Sequence, residues 1–284
     1  MKTKCVCISI LLFIISSGIV KADTICSKAD TLIFRDYINQ FTTPAANTSG
    51  LIINTAKFFL GKPYVASTLE VGNNENLIVN LRELDCTTLV ENCIALSQVV
   101  KSGDYSFDNY CKQLSAIRYR NGVIDGYPSR LHYLSDWIYE NEKRGIFKNV
   151  SLEMRGKKIV KPLNFMSTHP QSYKHLKDNS ENIRKVKEIE NLINKRSEYV
   201  VISKPDIPSI EKDIKDGDII AFATTIAGLD YSHIGIAYRT SGQLKFIHAS
   251  SRAKKVVIEN ENLLNYCNKS KTCSGITVIR IEDK

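Results

Sequence analysis

The sequence predicts an α+β protein, a class in which the helices and an antiparallel sheet occupy separate stretches of the chain. Apolar residues recur mostly at helical spacing from about residue 31 to residue 148. From about residue 151 onward, short apolar runs alternate with turn residues, as in strands. The chain has 284 residues, 43% hydrophobic and 24% charged, which is typical of a globular protein and excludes disordered and collagen-like classes.

The first 22 residues have the pattern of an export signal. Two lysines open the segment, an apolar run follows, and Val-Lys-Ala ends it at a small residue. The apolar run is shorter than the roughly 20 residues that span a bilayer. We therefore predict a signal peptide over 1–22 and a periplasmic or secreted mature chain without a transmembrane segment.

Residues 23–284 are predicted to form a single domain with two unlike halves. The helical half covers about 31–150, and the mainly β half covers about 151–284. A charged helical insertion near 180–197 interrupts the β half, because its apolar residues return to helical spacing. The predicted strands are 218–223, 232–238, 245–249, 256–259 and 276–281.

Charge and cysteine content limit the partners. The formal net charge is +9, from 39 Lys and Arg against 30 Asp and Glu, but the basic residues are scattered, so nucleic acid is not expected. A basic excess suits an anionic cell-envelope polymer, and it suits an ordinary solvated surface as well. No Cys-x-x-Cys occurs, so neither a metal nor another cofactor is expected. We expect a monomer.

Six of the eight cysteines remain once the predicted signal is removed. In an oxidising compartment, such an even set favours disulfides. Cys267 and Cys273 flank a short polar loop and are predicted to form one bridge.

Cys86 is the candidate nucleophile. Leu89, Val90 and Cys93 begin an apolar stripe at helical spacing, and Asp85 precedes it as a plausible N-cap. Cys86 would then lie in the first helical turn, where unpaired N–H groups stabilise a thiolate and afterwards an oxyanion. An ordinary core cysteine is the alternative.

Two histidines lie on consecutive predicted strands. Alternation puts His233 on the sparsely occupied face of the first strand, and His248 shares a face with Phe246 on the second. An even-length turn centred between Thr240 and Ser241 would make the histidines direct cross-strand partners, with Cβ atoms about 5 Å apart. A three-residue loop would put them on opposite faces.

Together these residues permit acyl transfer through a thioester. His233 would be the general base toward Cys86 and later the acid toward the leaving amine. His248 would orient the imidazole and set its tautomer, as Asn or Asp does in other cysteine hydrolases. A satisfied structural pair of histidines is the alternative.

The order of these motifs resembles the NlpC-type cell-wall cysteine hydrolases, a papain-like superfamily. Gly61-Lys62-Pro63-Tyr64 looks like the segment whose Tyr lies beside the nucleophile. Asp85-Cys86-Thr87-Thr88 looks like the start of the nucleophile helix, although the family's usual motif is Asp-Cys-Ser-Gly. The segments around residues 217–222, 232–236 and 246–250 look like its catalytic strands. The resemblance implies a papain-like NlpC-type fold.

Two further blocks are similar to the N-acetylmuramoyl-L-alanine amidase-like subgroup. They are residues 125–137 and residues 164–170. The subgroup is understood to cleave the amide between N-acetylmuramic acid and L-alanine, so peptidoglycan fragments are the implied substrate.

Several residues are candidates for contacting that substrate. Arg130 would pair with a carboxylate, and Tyr133 or Trp137 would pack against a sugar face. The alternative for this block is an amphipathic helix with its apolar side in the core. The remaining candidates, placed at the oxyanion site or the pocket rim, are Tyr64, Asp85, Tyr231 and Ser232.

Two other functions keep the same residues. A γ-D-glutamyl endopeptidase would use the same machinery on a bond within the stem peptide. A non-catalytic wall-binding module would have an inert or occluded Cys86.

Overall fold

The structure is a computed structural model, and it describes residues 23–41, 47–196 and 199–281. The predicted export signal over 1–22 lies outside the described residues. The described part is a mixture of helices and antiparallel sheet, which confirms the α+β class.

Most helices precede most strands along the chain. The helices are α1 (Lys28–Phe41), α2 (Thr48–Phe58), α3 (Cys86–Ser102), α4 (Phe107–Arg118), α5 (Leu134–Lys143), α6 (Phe165–Thr168), α7 (Ser180–Arg196), α8 (Ile207–Ile210) and α9 (Leu263–Lys269). The strands are β1 (Thr24–Ile25), β2 (Leu77–Ile78), β3 (Lys148–Asn149), β4 (Lys157–Ile159), β5 (Tyr199–Ser203), β6 (Ile219–Thr224), β7 (Tyr231–Thr240), β8 (Gln243–Ser250), β9 (Lys255–Ile258) and β10 (Cys273–Arg280).

One eight-stranded sheet organises the second half. Its order is β4-β5-β10-β6-β7-β8-β9, and β3 adds to β10. Neighbouring strands of this sheet pair antiparallel. β1 and β2 form a separate parallel pair. The strands β6 to β9 follow one another in sequence and in space, so short turns set their register.

The structure confirms the five predicted strands as β6, β7, β8, β9 and β10, and the charged helical insertion as α7. The strand β5 and the short helix α9 were not predicted. α9 contributes to the candidate site, because it packs beside the strands that carry the histidines.

The main hydrophobic core joins the two halves. Leu89 and Cys93 of α3 belong to the same buried cluster as Ile234 and Ile236 of β7. Apolar burial of this kind is the main favourable term in folding. It holds α3 against the sheet, so the first residue of α3 comes close to β7. Among the described residues, no helix combines the length and apolar content needed to cross a membrane.

A buried ion pair ties α3 to α4. Arg118 Nε donates to Glu91 Oε2 at 2.7 Å, and the two side chains are 2% and 4% exposed. Arg118 Nη1 also donates to the carbonyl of Ile78 in β2 at 2.7 Å. Removing one member of such a pair leaves an uncompensated buried charge.

We therefore predict that Arg118→Met lowers the free energy of unfolding by about 3–5 kcal/mol, since Glu91 loses its partner. Urea denaturation followed by circular dichroism measures this. Arg184→Met is the control, because Arg184 pairs with Glu188 on the exposed face of α7, where ion pairs contribute little to stability. Equal effects of the two substitutions would contradict the prediction.

The predicted Cys267–Cys273 pair is close in space. The two sulfurs lie 2.8 Å apart, and both residues are buried as free thiols. Cys267 is on α9 and Cys273 begins β10. The disulfide itself stays a prediction.

Peptide mapping tests it on protein exported from cells. Without reductant, we expect one peptide mass that joins Cys267 to Cys273, because the fold already brings the thiols together. Added reductant should separate the two peptides. Finding both thiols free, or either joined to another cysteine, would show that the bridge does not form.

Candidate active site

A capping box starts the helix that carries Cys86. The Asp85 side chain accepts from the Thr88 N–H at 2.8 Å, and the Thr88 hydroxyl oxygen accepts from the Asp85 N–H at 2.9 Å. This confirms Asp85 as the N-cap and Cys86 as the first residue of α3. The Asp85 side chain thus serves the cap, and its predicted place at the oxyanion site or the pocket rim stays a prediction.

Three donors surround the Cys86 sulfur: the Thr87 hydroxyl, the Thr87 N–H and the Ile234 N–H. Ile234 follows His233 directly in β7, so the sulfur lies against the part of the strand that carries this histidine. The two threonines after Cys86 therefore have separate tasks, since Thr87 faces the sulfur and Thr88 closes the cap.

The Cys86 thiol is protonated at neutral pH. Burial, and then the charge of Asp85, raise the pKa of this thiol to about 12, although the hydrogen bonds to the sulfur oppose the shift. Desolvation of the anion thus outweighs the stabilisation that the donors around the sulfur give it. Cys86 needs a base to take its proton.

The histidines share one face of the sheet but are not direct partners. The β7–β8 turn consists of Ser241 and Gly242, both with positive φ, and Thr240 pairs with Gln243. Such a two-residue turn matches the twist of a hairpin. The predicted register is wrong by two residues, so His248 lies opposite Gly235 and diagonal to His233. The turn is still even in length, which keeps both imidazoles on the same side.

Gly235 makes room for the histidine pair. A Cβ atom on Gly235 would come within 2.8 Å of the Phe246 ring and 3.2 Å of the His248 Cβ. With that space open, His233 Nε2 and His248 Nδ1 lie 2.6 Å apart, and the rings cross at 86°. The free ring nitrogen of His233 is therefore Nδ1.

Both imidazoles are neutral at neutral pH. Burial, followed by the neighbouring His248, lowers the pKa of His233 to about 3. Burial also lowers the pKa of His248, against the opposing charge of Glu259. A neutral imidazole with a bare nitrogen is the form that accepts a proton.

Sequence reasoning missed two residues that contact the histidines. Glu259 lies just beyond β9, with Oε2 3.4 Å from His248 Nε2. Tyr266 of α9 packs against both imidazoles, with its ring centroid 5.7 Å from each. The length of the β8–β9 turn could have placed Glu259 on the face of the sheet that carries the histidines. Nothing in the sequence pattern indicated Tyr266.

Tyr64 lies beside the nucleophile, as the motif implied. Its N–H donates to the Lys254 carbonyl at 2.9 Å, and its backbone bridges to Leu84, just before the cap. Burial and the nearby Cys86 and Asp85 raise the pKa of the Tyr64 phenol. The Tyr64 hydroxyl thus keeps its proton, and its role at the oxyanion site stays a prediction.

A cavity of about 730 Å³ opens beside the histidine pair. Its lining includes His233, Ser232, Glu259, Tyr266 and Arg252. Ser232 is exposed there, which agrees with its predicted place at the rim of a pocket. This volume is in the range of small-molecule sites.

Arg130 is not available to a substrate. It is buried, its Nε and Nη2 bind both oxygens of Glu75 at 2.8 and 2.7 Å, and its Nη1 binds Glu70 at 2.7 Å. The prediction that it pairs with a substrate carboxylate is wrong, because two internal carboxylates already occupy the guanidinium.

Three aromatic candidates belong to the interior. Trp137 is 1% exposed and packs on Phe147. The Tyr133 hydroxyl donates to Glu190 at 2.8 Å, and the buried Tyr231 hydroxyl bonds to Thr277 at 2.7 Å. The substrate contacts predicted for Trp137, Tyr133 and Tyr231 are therefore wrong, because all three side chains are buried inside the protein.

Comparison with known proteins gives the family. Residues 54–276 match the model described as AmiA-like, N-acetylmuramoyl-L-alanine amidase-like, and the chain belongs to this family. The structure is similar to an N-acetylmuramoyl-L-alanine amidase from Bacteroides uniformis, with a TM-score of 0.79 and 38% identity. That match covers 83% of this chain and 99% of the other.

Two other solved structures are similar. A Bacteroides fragilis protein described as a xylanase has a TM-score of 0.74 and 39% identity, over 80% of this chain and 99% of that one. A Legionella pneumophila protein has a TM-score of 0.69 at 21% identity, over 90% and 95% of the chains, and shows the shared fold alone. A comparison with the curated proteins gives no match.

We predict that alkylation of Cys86 by iodoacetamide accelerates continuously from pH 6 to pH 10. Only the thiolate reacts, and a pKa of about 12 keeps its fraction rising throughout this range. Quenched time points analysed by peptide mass spectrometry give the rate at Cys86 alone. A rate that levels off near pH 7 would instead mean that the thiolate exists before substrate binds.

Proposed function

We propose that this protein is a cysteine hydrolase that cleaves the amide between N-acetylmuramic acid and L-alanine in peptidoglycan fragments, in the periplasm or outside the cell. The observation that carries the proposal is that the Cys86 sulfur accepts from the N–H of Ile234, the residue after His233 in β7, while His233 Nε2 is bound to His248 Nδ1. Family membership and the amidase from Bacteroides uniformis support the bond and the substrate. We keep the papain-like NlpC-type assignment as part of this proposal.

The first step is attack by sulfur on the lactyl carbonyl of the muramic acid. The Cys86 S–H proton passes to His233 Nδ1 while the C–S bond forms and the carbonyl oxygen becomes an oxyanion. The cap takes the Thr88 N–H and the sulfur engages the Thr87 N–H, so the Cys86 N–H remains at the helix start for that oxyanion. Tyr64 adds a hydroxyl on the same side.

The intermediate then loses its amine. The C–N bond breaks as His233 returns the proton to the nitrogen of L-alanine, which leaves a muramoyl thioester on Cys86. Water attacks this thioester and gives one proton to His233. The C–S bond then breaks, and His233 returns this proton to the Cys86 sulfur. The new carboxyl group releases water's second proton to the freed amine, so protons and charge balance over the cycle.

The site is less suited to glycoside hydrolysis, the activity in the description of the Bacteroides fragilis protein. Glycosidases place two carboxyl groups about 5–9.5 Å apart across the bond. Beside the histidines, the Glu259 carboxylate instead faces His248 and accepts two backbone N–H groups. The γ-D-glutamyl endopeptidase and the wall-binding module remain the rival functions.

We predict that Cys86→Ala lowers the hydrolysis of N-acetylmuramoyl-L-alanyl-D-isoglutamine by at least about 10⁴-fold, because the nucleophile is lost. Mass spectrometry of the products should show N-acetylmuramic acid and L-alanyl-D-isoglutamine with the unaltered protein. Cys26→Ala is the matched control, since this cysteine is exposed and precedes α1, and it should retain full activity.

Four results would contradict the proposal. Undiminished cleavage by the Cys86 variant would exclude Cys86 as the nucleophile. Cleavage only after the D-glutamyl residue of a longer stem peptide would favour the endopeptidase. Tight binding of muropeptides with no turnover, or release of sugars from xylan, would point to the other classes.

A further inference from the structure

Three polar side chains cross the sheet on a diagonal. His248 of β8 lies opposite Gly235 of β7 and Val257 of β9. His233 is two residues from the first of these, and Glu259 is two residues from the second, so all three point to the same face. Diagonal neighbours of this kind lie within reach of long side chains. The register of the sheet thus places Glu259 next to the His233–His248 pair.

Glu259 is held in place by its own surroundings. Its N–H donates to the Phe246 carbonyl at 2.8 Å, which continues the β8–β9 ladder. Its Oε1 accepts from the N–H groups of Asn260 and Glu261 at 2.8 and 3.2 Å. These bonds leave Oε2 as the oxygen that faces His248 Nε2, at 3.4 Å.

His248 has one satisfied nitrogen and one unsatisfied nitrogen. It is 1% exposed, and Nδ1 is bound to His233. Nε2 is buried with no hydrogen-bond partner within the described part of the chain, and the Glu259 carboxylate faces it at 3.4 Å. Tyr266 from α9 packs on both rings, and the charge of Cys86 from α3 acts on its phenol. The other titratable groups that line the cavity with His233 are Arg252, Glu261, Lys269 and Cys273. Hydrogen bonds in active sites are often long before substrate binds.

We propose that Glu259 is a positioning residue that holds His248 in the Nε2–H tautomer and thereby leaves His233 Nδ1 bare for the Cys86 proton. With a proton on Nε2, His248 Nδ1 can only accept, so His233 Nε2 must donate. A neutral imidazole carries one proton, and His233 Nδ1 is then a lone pair. The kinetic part of this inference rests on the proposed function.

The reverse arrangement would disable the base. If His248 carried its proton on Nδ1, it would donate to His233 Nε2, and His233 would carry its own proton on Nδ1. That nitrogen could no longer accept from Cys86. The carboxylate also favours the cation that forms on the histidine pair when His233 takes the proton, since an opposite charge close by stabilises the charged form.

The test compares Glu259→Ala with Glu259→Gln. The alanine variant removes the acceptor, whereas the glutamine variant keeps a carbonyl oxygen that can accept from Nε2 but lacks the charge. We expect kcat to fall by about 10- to 100-fold in the alanine variant with KM little changed, and by less in the glutamine variant. Glu188→Ala is the control for loss of a carboxylate, because Glu188 is exposed on α7.

Two readouts separate positioning from a structural role. In ¹⁵N NMR of the free protein, His248 should show a protonated Nε2 and a bare Nδ1, and the alanine variant should show a mixture of tautomers. In the pH profile of kcat, the acid limb should move to lower pH in both variants, because Glu259 raises the pKa of His248. Thermal unfolding shows that each variant is folded.

The inference fails if the alanine variant keeps the wild-type kcat, or if it loses activity while its tautomer signals and acid limb stay unchanged. The NMR readout needs no substrate. If His248 Nε2 is protonated but the protein does not cleave muropeptides, the proposed function is wrong and the positioning role of Glu259 is supported. If the protein is an active amidase but His248 carries its proton on Nδ1, the proposed function is supported and the positioning role of Glu259 is wrong.

Discussion

The pairing of β7 with β8 is the constraint on which the candidate site depends. Their two-residue turn sets a register in which His233 and His248 share one face, and Gly235 leaves the space in which the imidazoles meet at 2.6 Å. A turn longer or shorter by one residue would send one ring to the opposite side of the sheet. The capped start of α3 then brings Cys86 to the same strand, so local turn and cap geometry assemble residues far apart in sequence.

Burial gives the site its chemical character. It raises the pKa of the Cys86 thiol and lowers the pKa of His233, so both groups are neutral before reaction. The charges therefore arise only when the proton moves, at the moment the N–H groups of α3 are needed. In a weakly solvated site such fixed dipoles act more strongly than in water. The same burial makes the direction of each hydrogen bond important, because a buried polar group left without a partner is costly.

Much of the fold and the three candidate catalytic residues could be predicted from the sequence. Strand alternation and turn residues located the sheet, and the Asp85 cap located the start of α3, because both signals are local. The register of the hairpin was wrong by two residues, since the pattern near Thr240 allowed two even turns. The side shared by the histidines survived this error because only the parity of the turn decides it.

The substrate contacts predicted around Arg130 failed for a different reason. A helical pattern shows which side of a helix is apolar, but not whether a charge meets a partner inside the protein. Glu70 and Glu75 come from a loop about 60 residues earlier in the chain, and the folded chain brings them to Arg130. Glu259 was missed because its position beside His248 becomes evident only when the register of three strands is known.

The most direct test is a crystal structure of the Cys86→Ala variant with N-acetylmuramoyl-L-alanyl-D-isoglutamine bound. The account predicts the lactyl carbonyl carbon over the residue 86 side chain, with the amide nitrogen on the His233 side, within about 4 Å of Nδ1. A glycosidic bond or a γ-D-glutamyl bond in that place, or a fragment bound away from both histidines, would contradict it.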